Sequence, residues 1–182
     1  MKEVKRSALL PYSARQLFDL VADIERYPEF LPGCVHARVI ERHADGEVDA
    51  ELGLQQGPAK LRFATRNRME PGRRLEMTLH NGPLKALDGC WEFHAIGDSG
   101  CRVELWIRFD AGGTAAGLLL SPLLESVCNR MVDAFSRRAP GVTGRRERGS
   151  KSGAPTEPAP RRVGARAPAA AGRDRHPRAD TD

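Results

Sequence analysis

Alternation of apolar and polar residues along the middle of the chain is the feature that most constrains its fold. Six alternating segments span residues 34–111, and turn-forming pairs such as Asp45-Gly46 separate them. Successive side chains of a strand point to opposite faces of the sheet, so a period of two predicts one solvated face and one covered face. The chain is therefore expected to form an antiparallel sheet, with Lys2–Leu10 as its first strand.

The segment expected to cover this sheet follows its last strand. Within residues 114–138, apolar residues recur every three or four positions, which is the period of an α-helix. They are Leu120, Leu124, Val127, Met131 and Phe135. Two shorter helices are predicted after the first strand, one capped by Ser13 with Gln16 completing a capping box and one capped by Asp23. The predicted fold class is α+β, a curved seven-stranded antiparallel sheet wrapped on a long C-terminal helix, with two short helices after strand one.

A stiff apolar loop is expected between the short helices and the second strand. The octapeptide at residues 27–34 contains two prolines, each of which disfavours helical backbone in the residue before it. Tyr27 and Leu31 are therefore expected to be extended. We expect these two side chains and Phe30 to lie together, because large apolar side chains in a loop usually cover a core or the mouth of a ligand cavity.

Several motifs occur in the order found in one known family. They are Pro11-Tyr12-Ser13-Ala14, Tyr27-Pro28-Glu29-Phe30-Leu31-Pro32-Gly33-Cys34, Asn81-Gly82-Pro83-Leu84 and Gly89-Cys90-Trp91-Glu92-Phe93. With these motifs, residues 2–138 resemble the coenzyme Q-binding START-like family of the polyketide cyclase/dehydrase and lipid transport superfamily. That family includes RatA-type bacterial members, which are named for their association with ribosomes. The resemblance implies the helix-grip fold, in agreement with the pattern of strands and helices.

The resemblance implies two functions that use different parts of this fold. The main hypothesis is non-enzymatic binding of a hydrophobic ligand, ubiquinone or a related polyprenyl lipid, in support of respiratory electron transfer. The alternative is a RatA-type function, in which the protein binds the large ribosomal subunit and inhibits translation as the toxin of a toxin-antitoxin pair.

The candidate ligand-binding residues are inward side chains of the sheet and long helix, with apolar residues at the mouth. They are Leu61, Phe63, Met77, Leu87, Trp91, Phe93, Leu105 and Ile107 from the sheet, Leu120, Leu124, Val127 and Met131 from the helix, and Phe18, Tyr27, Phe30 and Leu31 from the mouth. Packing on one another as an ordinary core is the alternative for each of them. Trp91 is distinctive, because a buried indole N–H needs a hydrogen-bond acceptor and a quinone carbonyl would provide one. Thr65 and Asn67 are further polar residues expected to face inward.

The candidate RNA-binding residues of the alternative lie on the opposite face of the sheet. They are Lys60, Arg62, Arg66, Arg68 and Trp106. Basic side chains contact RNA phosphates, and an exposed indole stacks on a base. An ordinary solvated face, with cross-strand ion pairs to Glu76, Glu92 and Glu104, would carry the same residues.

The sequence contains no recognisable constellation of catalytic residues. The five histidines fall on the solvated face, in a turn or near the C-terminus, and no inward strand position carries Asp or Glu. The four cysteines lack the spacing of a metal site and are expected to be reduced thiols. We therefore expect a binding protein rather than an enzyme, without a metal or a required cofactor and with ubiquinone as a bound ligand.

The formal net charge of +5 lies entirely in the last part of the chain. Residues 139–182 carry ten Lys and Arg against five Asp and Glu, and the two signs balance in residues 1–138. The sequence predicts a START-like domain over residues 1–138 and a disordered Arg/Pro/Ala-rich tail over residues 139–182. The tail is either a neutral extension or a weak electrostatic tether to RNA or anionic lipid.

The expected location of the protein is the cytoplasm, because no export signal or membrane span is recognisable in the sequence. A peripheral contact with the inner membrane, through Leu118, Leu119 and Leu120, accompanies the lipid-binding hypothesis. We expect no DNA partner.

Overall fold

The structure, a computed structural model, describes residues 1–149, with side chains through residue 141. Its elements are β1 (Lys2–Leu10), α1 (Ala14–Ala22), a 3₁₀ helix (Ile24–Glu29), β2 (Cys34–Arg42), β3 (Val48–Gln56), β4 (Ala59–Glu70), β5 (Arg74–Asn81), β6 (Ala86–Ile96), β7 (Gly100–Asp110) and α2 (Ala115–Gly149). This order confirms the predicted succession of one strand, two short helices, six strands and one long helix.

The seven strands form one antiparallel sheet in the order β1-β7-β6-β5-β4-β3-β2. From β2 to β7, consecutive strands are neighbours, and β1 lies at one edge of the sheet, where it pairs with β7. On the inward face, Trp91 of β6 lies opposite Leu75 of β5 and Leu105 of β7. All three side chains are buried, as the alternation of apolar and polar residues predicts.

Helix α2 covers the inward face of the sheet. The predicted stripe from Leu120 to Phe135 is buried against it. The side chain of Thr114 begins the helix, because its Oγ1 accepts a hydrogen bond from the Gly117 N–H at 3.2 Å. The helix continues past residue 138 to Gly149, and Ala139 is fully buried. The rest of the predicted tail, residues 150–182, lies outside the described residues.

Within residues 1–149, no helix is long and apolar enough to cross a bilayer.

The segment between β1 and β2 confirms one local prediction and corrects two others. The capping box is present, with the Ser13 N–H donating to Gln16 Oε1 at 2.9 Å and the Gln16 N–H donating to Ser13 Oγ at 3.2 Å. The side chain of Asp23 makes no cap hydrogen bond, and the following 3₁₀ helix includes Tyr27 and Pro28. Tyr27 is therefore not extended. Its burial and the hydrogen bond from its hydroxyl outweigh the local preference of a residue before proline.

Replacing the capping serine is expected to destabilise the domain. Ser13→Ala removes the acceptor for the Gln16 N–H and should lower the free energy of unfolding by about 1 kcal/mol. Urea denaturation followed by circular dichroism measures this difference. Ser99→Ala, in the exposed turn between β6 and β7, is the matched control, and equal effects of the two substitutions would contradict the capping role.

Candidate functional site

A small cavity lies between the sheet and α2, with a volume of about 40 Å³. A cavity needs only roughly 10–15 Å³ of water-accessible space to hold one water molecule, so this cavity has room for more than one. Its wall is formed by side chains of the 3₁₀ helix, the strands β3 to β7 and α2, together with Leu31 of the octapeptide. A polyprenyl quinone is far larger than this space, so it would fit only after part of this wall moves.

Many of the predicted ligand-binding residues line this cavity. They are Tyr27, Leu31, Phe63, Met77, Leu87, Trp91, Ile107, Leu124, Val127 and Met131. Phe93 lines a second cavity of about 10 Å³ beside α1. The remaining predicted residues pack in or against the hydrophobic core: Phe18, Phe30, Leu61, Leu105 and Leu120. Strand and helix periodicity predicted which side of an element faces inward. It did not predict whether an inward side chain meets another side chain or the cavity.

Several lining residues were missed by the sequence analysis. They are Ile24, Ala50, Leu52, Leu54, Leu75 and Cys128. The three residues of β3 alternate at positions 50, 52 and 54, and Leu52 pairs with Phe63 of β4. A period of two was therefore present in the sequence of β3, and it would have placed this strand beside the other inward residues.

Most polar side chains of the cavity wall form hydrogen bonds within the protein. The Asn67 amide donates to the Val48 carbonyl oxygen at 2.9 Å and to the Thr65 carbonyl oxygen at 3.1 Å. The Thr65 hydroxyl lies 3.3 Å from Asn67 Oδ1, to which it donates. The Tyr27 hydroxyl donates to the Val21 carbonyl oxygen at 2.5 Å, and burial raises the pKa of Tyr27. These groups are thus held neutral and engaged within the protein.

Trp91 is the exception among these polar groups. Its side chain is 1% exposed, and its Nε1 has no hydrogen-bond partner within the described residues. The ring is held by Phe135, whose centroid lies 5.2 Å away in an edge-to-face arrangement, and by Phe93, stacked at 6.4 Å. The predicted need of this indole for an acceptor is therefore not met by the described part of the chain.

Aromatic contacts join the octapeptide to α2. The ring centroid of Phe135 lies 5.2 Å from that of Tyr27 and 4.9 Å from that of Phe30. The Arg138 guanidinium lies 5.5 Å from the Phe30 ring and donates a hydrogen bond to Glu29. The octapeptide is thus fastened to the C-terminal half of α2, next to the wall of the cavity.

The outward face of β4 carries four predicted basic side chains, Lys60, Arg62, Arg66 and Arg68, called the basic row below. Carboxylates of β3 neutralise the two arginines at its centre. Arg66 donates two hydrogen bonds of 2.9 Å to Asp49, which is 3% exposed. Arg62 lies 3.4 Å from Glu51, which also accepts from Arg38 at 3.2 Å. These arginines are therefore held in cross-strand ion pairs.

The two ends of the basic row, unlike its centre, are not neutralised by carboxylates of the described residues. Lys60 and Arg68 are exposed, and within residues 1–141 no ion pair engages either side chain. Trp106 does not lie beside them, because β5 and β6 stand between β4 and β7, a separation of about 14 Å. Its ring is half-buried, with the Arg108 guanidinium 5.4 Å from the ring centroid.

Two groups of histidine and carboxylate side chains have ligand atoms close enough to share a metal ion. They are Glu41, His43 and Asp49, and Glu92, His94 and Glu104. An arginine pairs with a carboxylate of each group, Arg66 with Asp49 and Arg102 with Glu104 at 3.3 Å. A guanidinium already on the carboxylate opposes a second cation, so these groups act as ion-pair networks.

The cysteines offer no reactive thiolate in the described part of the chain. All four are free and buried. Burial raises the pKa of Cys34 to about 11 and that of Cys128 to about 12, so both remain protonated thiols at neutral pH.

The ion pairs around Asp49 predict a pH-dependent contribution to stability. The hydrogen bond to Asp49, 3.0 Å from His43 Nε2, raises the pKa of His43 above its usual value. The stabilisation is therefore complete below about pH 6.5, the ordinary pKa of histidine, and is lost as the pH rises through the raised value. Urea unfolding at pH 6 and pH 8 should show a loss of stability at the higher pH.

His43→Gln is expected to flatten this pH dependence while leaving the Arg66–Asp49 pair intact. Other titratable groups lie nearby: Glu41 beside His43, Glu47 beside Arg66 and His80 beside Asp49. Because His80 is the other histidine near Asp49, His80→Gln serves as the comparison. If both variants keep the full pH dependence, the assignment to His43 is wrong.

Residues 10–136 match the family described as polyketide cyclase/dehydrase and lipid transport. Over 141 residues, the chain is 46% identical to the ribosome association toxin RatA of Pseudomonas aeruginosa, covering 78% of this chain and 97% of that protein. It is 28% identical over 150 residues to the mitochondrial coenzyme Q-binding protein COQ10 homolog B of Xenopus laevis, covering 80% and 61% of the two chains.

Solved structures agree with the described fold. The solution structure of an 18 kDa protein of Caulobacter crescentus superposes with a TM-score of 0.63 at 30% identity, covering 79% of this chain and 99% of that chain. The Zhui aromatase/cyclase of a Streptomyces species superposes with a TM-score of 0.65 at 17% identity, covering 82% and 98%, which supports the fold alone. The chain therefore belongs to the START-like polyketide cyclase/dehydrase and lipid transport family, and within it to the relatives of the RatA-type proteins.

Proposed function

We propose that this protein associates with the large ribosomal subunit and inhibits translation, as a RatA-type toxin in the cytoplasm. The observation that carries the proposal is the 46% identity to a ribosome association toxin, which extends over 97% of that relative. The similarity to a coenzyme Q-binding protein is lower, at 28%. This reverses the order of the two hypotheses taken from the sequence, in which quinone binding came first.

The proposed ribosome contact uses the free ends of the basic row. Arg62 and Arg66 are held by β3 carboxylates, so their charge is largely compensated before any RNA approaches. Lys60 and Arg68 are exposed on the same face, about 26 Å apart along β4. Basic side chains without a carboxylate partner can neutralise phosphates and so release the counterions condensed on the nucleic acid.

Reversing these two charges should weaken binding to the large subunit. The double variant Lys60→Glu/Arg68→Glu is expected to co-sediment less with purified 50S subunits than the parent protein. Each lost phosphate contact should reduce the slope of log K against log salt concentration by about one, so the slope should fall by about two. A salt series of co-sedimentation experiments measures both effects.

The matched control changes the same net charge on the other side of the domain. Arg130→Glu/Arg137→Glu alters two exposed arginines of α2 and should leave both affinity and slope close to those of the parent. Equal losses in the two double variants would remove β4 from the contact. Undetectable binding of the parent protein would contradict the proposed function itself.

A second function is proposed for the inward face, namely binding of a polyprenyl quinone such as ubiquinone. The cavity between the sheet and α2, and the similarity to a coenzyme Q-binding protein, support it. Burial of isoprene units would provide affinity at ~25 cal/mol per Å² of apolar surface. Leu118 and Leu119, 72% and 63% exposed at the start of α2, would make a peripheral contact with the membrane from which the lipid is collected.

Ligand retention tests this second function. Mass spectrometry of organic extracts from the gently purified full chain should detect a polyprenyl quinone in stoichiometric amount. Leu124→Asp places a carboxylate in the cavity wall and should abolish retention, since an unpaired buried charge opposes an apolar ligand. Ile96→Asp, at a 52% exposed position, is the control. Retention of the quinone by a folded Leu124→Asp protein would exclude this cavity as its site.

Both proposed functions act through binding, and we propose no catalytic step. The hydroxyls of Tyr27 and Thr65 and the Asn67 amide of the cavity wall are engaged within the protein. The two relatives are named for association and binding rather than for a reaction. The aromatase/cyclase of similar fold, at 17% identity, carries no argument for activity here.

A further inference from the structure

A broad groove lies on the outward face of the sheet, on the side away from α2. Its volume is about 550 Å³, and residues of β1, β7, β6 and β5 line it. Trp106 and Cys90, directly opposite each other in β7 and β6, give it an apolar surface. The four neighbouring strands span about 14 Å, which is wider than a single side chain. Neither proposed function uses this groove.

Two carboxylates of the groove face each other across neighbouring strands. Glu92 of β6 is the direct partner of Glu104 of β7, and both line the groove. Like charges in directly opposed positions destabilise a sheet. Arg102 compensates one of the two, because its Nε lies 3.3 Å from the Glu104 carboxylate. The carboxylate that still requires a cation is therefore Glu92.

The neighbours of Glu92 leave its charge incompletely compensated. Arg74 is its partner on β5, but the Arg74 Nε donates to the sulfur of Cys90 at 3.1 Å and lies 3.9 Å from Glu92. The Nη2 of the same guanidinium lies 2.7 Å from Glu76. His94 Nε2 is 3.6 Å away, beyond hydrogen-bonding distance. Within the described residues, Glu92 thus accepts no hydrogen bond.

The other basic residues of the groove are engaged away from Glu92. Lys5, at the β1 side, lies 2.8 Å from the Glu3 carboxylate. Arg6 turns its side chain toward α2, where it donates to the Asn129 amide oxygen at 2.7 Å. The local charge that remains in the groove is therefore negative, in a chain whose formal net charge is +5.

This local charge decides which kind of ligand the groove favours. RNA phosphates are repelled by an uncompensated carboxylate, so Trp106 is poorly placed to stack on a base of a polyanion. A metal ion shared by Glu92 and Glu104 would compete with Arg102, whereas an organic cation needs only Glu92 and leaves that pair intact. The groove therefore favours a cation that has an apolar stem.

We propose that the outward groove is a docking site for an arginine side chain of a basic polypeptide partner, with Glu92 as the acceptor. A guanidinium matches a carboxylate with two parallel hydrogen bonds, and its aliphatic stem packs on Trp106 and Cys90. The Arg108 guanidinium already lies 5.4 Å from the centroid of the Trp106 ring, so this indole tolerates a cation beside it. The width of the groove leaves room for polypeptide on both sides of the bound side chain.

Peptide titration of the full chain tests this docking site. The probe is a pentapeptide, Ala-Gly-Arg-Gly-Ala, with both ends blocked, and the same peptide with citrulline for arginine has nearly the same shape without the charge. Nitrogen–proton correlation NMR follows the indole N–H signals of the two tryptophans. Trp106 lines the groove and Trp91 is buried, so specific binding should shift the Trp106 signal alone. The net positive charge of the chain opposes non-specific binding of the arginine peptide.

Glu92→Gln is expected to weaken binding of the arginine peptide by about fivefold, because it removes one partly exposed ion pair at nearly constant shape. Glu70→Gln is the matched control. The Glu70 side chain is 45% exposed, against 42% for Glu92, and it lies outside the groove. The control should bind the peptide with the affinity of the parent protein.

Three results would overturn the proposal. They are an absence of any Trp106 shift with the arginine peptide, equal shifts with the arginine and citrulline peptides, and an unchanged affinity in Glu92→Gln. The first two need only the parent protein, so the test does not depend on the folding of a variant. A short single-stranded RNA that shifts Trp106 where the arginine peptide does not would make the groove a nucleic-acid site instead. Ribosome association and quinone retention are measured independently of all these results.

Discussion

The packing of α2 on the inward face of the sheet is the interaction on which the rest of the structure depends. An isolated antiparallel sheet with one apolar face leaves that face in water, and in this chain α2 is the element that covers its centre. A straight helix cannot follow a curved sheet at every point. The gap that remains between them is the small cavity lined by Trp91 and Leu124. The proposed ligand site is therefore a consequence of the same packing that stabilises the domain.

The two proposed functions share one strand without sharing a surface. In β4, Phe63, Thr65 and Asn67 face the cavity, while Lys60 and Arg68 face solvent. Alternation along a strand separates an apolar site from a basic one by the thickness of the sheet. A protein built in this way can bind a lipid and an RNA surface with independent sets of side chains, so substitutions on one face test that face alone.

The sequence predicted the elements and their faces better than it predicted contacts. Alternation in β4 to β7 and the stripe of α2 fixed which side chains are inward, because these periods follow from backbone geometry. They did not separate Leu105, which packs in the core, from Ile107, which lines the cavity, since that distinction depends on which side chains each residue meets in three dimensions. The conformation of Tyr27 was missed for a related reason, because tertiary burial outweighed a local preference.

The charges of the outward face show why a count of arginines is a poor guide to an RNA surface. Asp49 is nearly buried, and Arg66 holds the pKa of its carboxyl well below the usual range, so the pair is one structural unit at any pH at which ribosomes are intact. Its arginine cannot reach a phosphate without giving up two hydrogen bonds to a buried carboxylate, which is unfavourable. Lys60 and Arg68 form no ion pair within the described residues. In a domain whose charges balance overall, the local pairing of each cation decides where a polyanion binds.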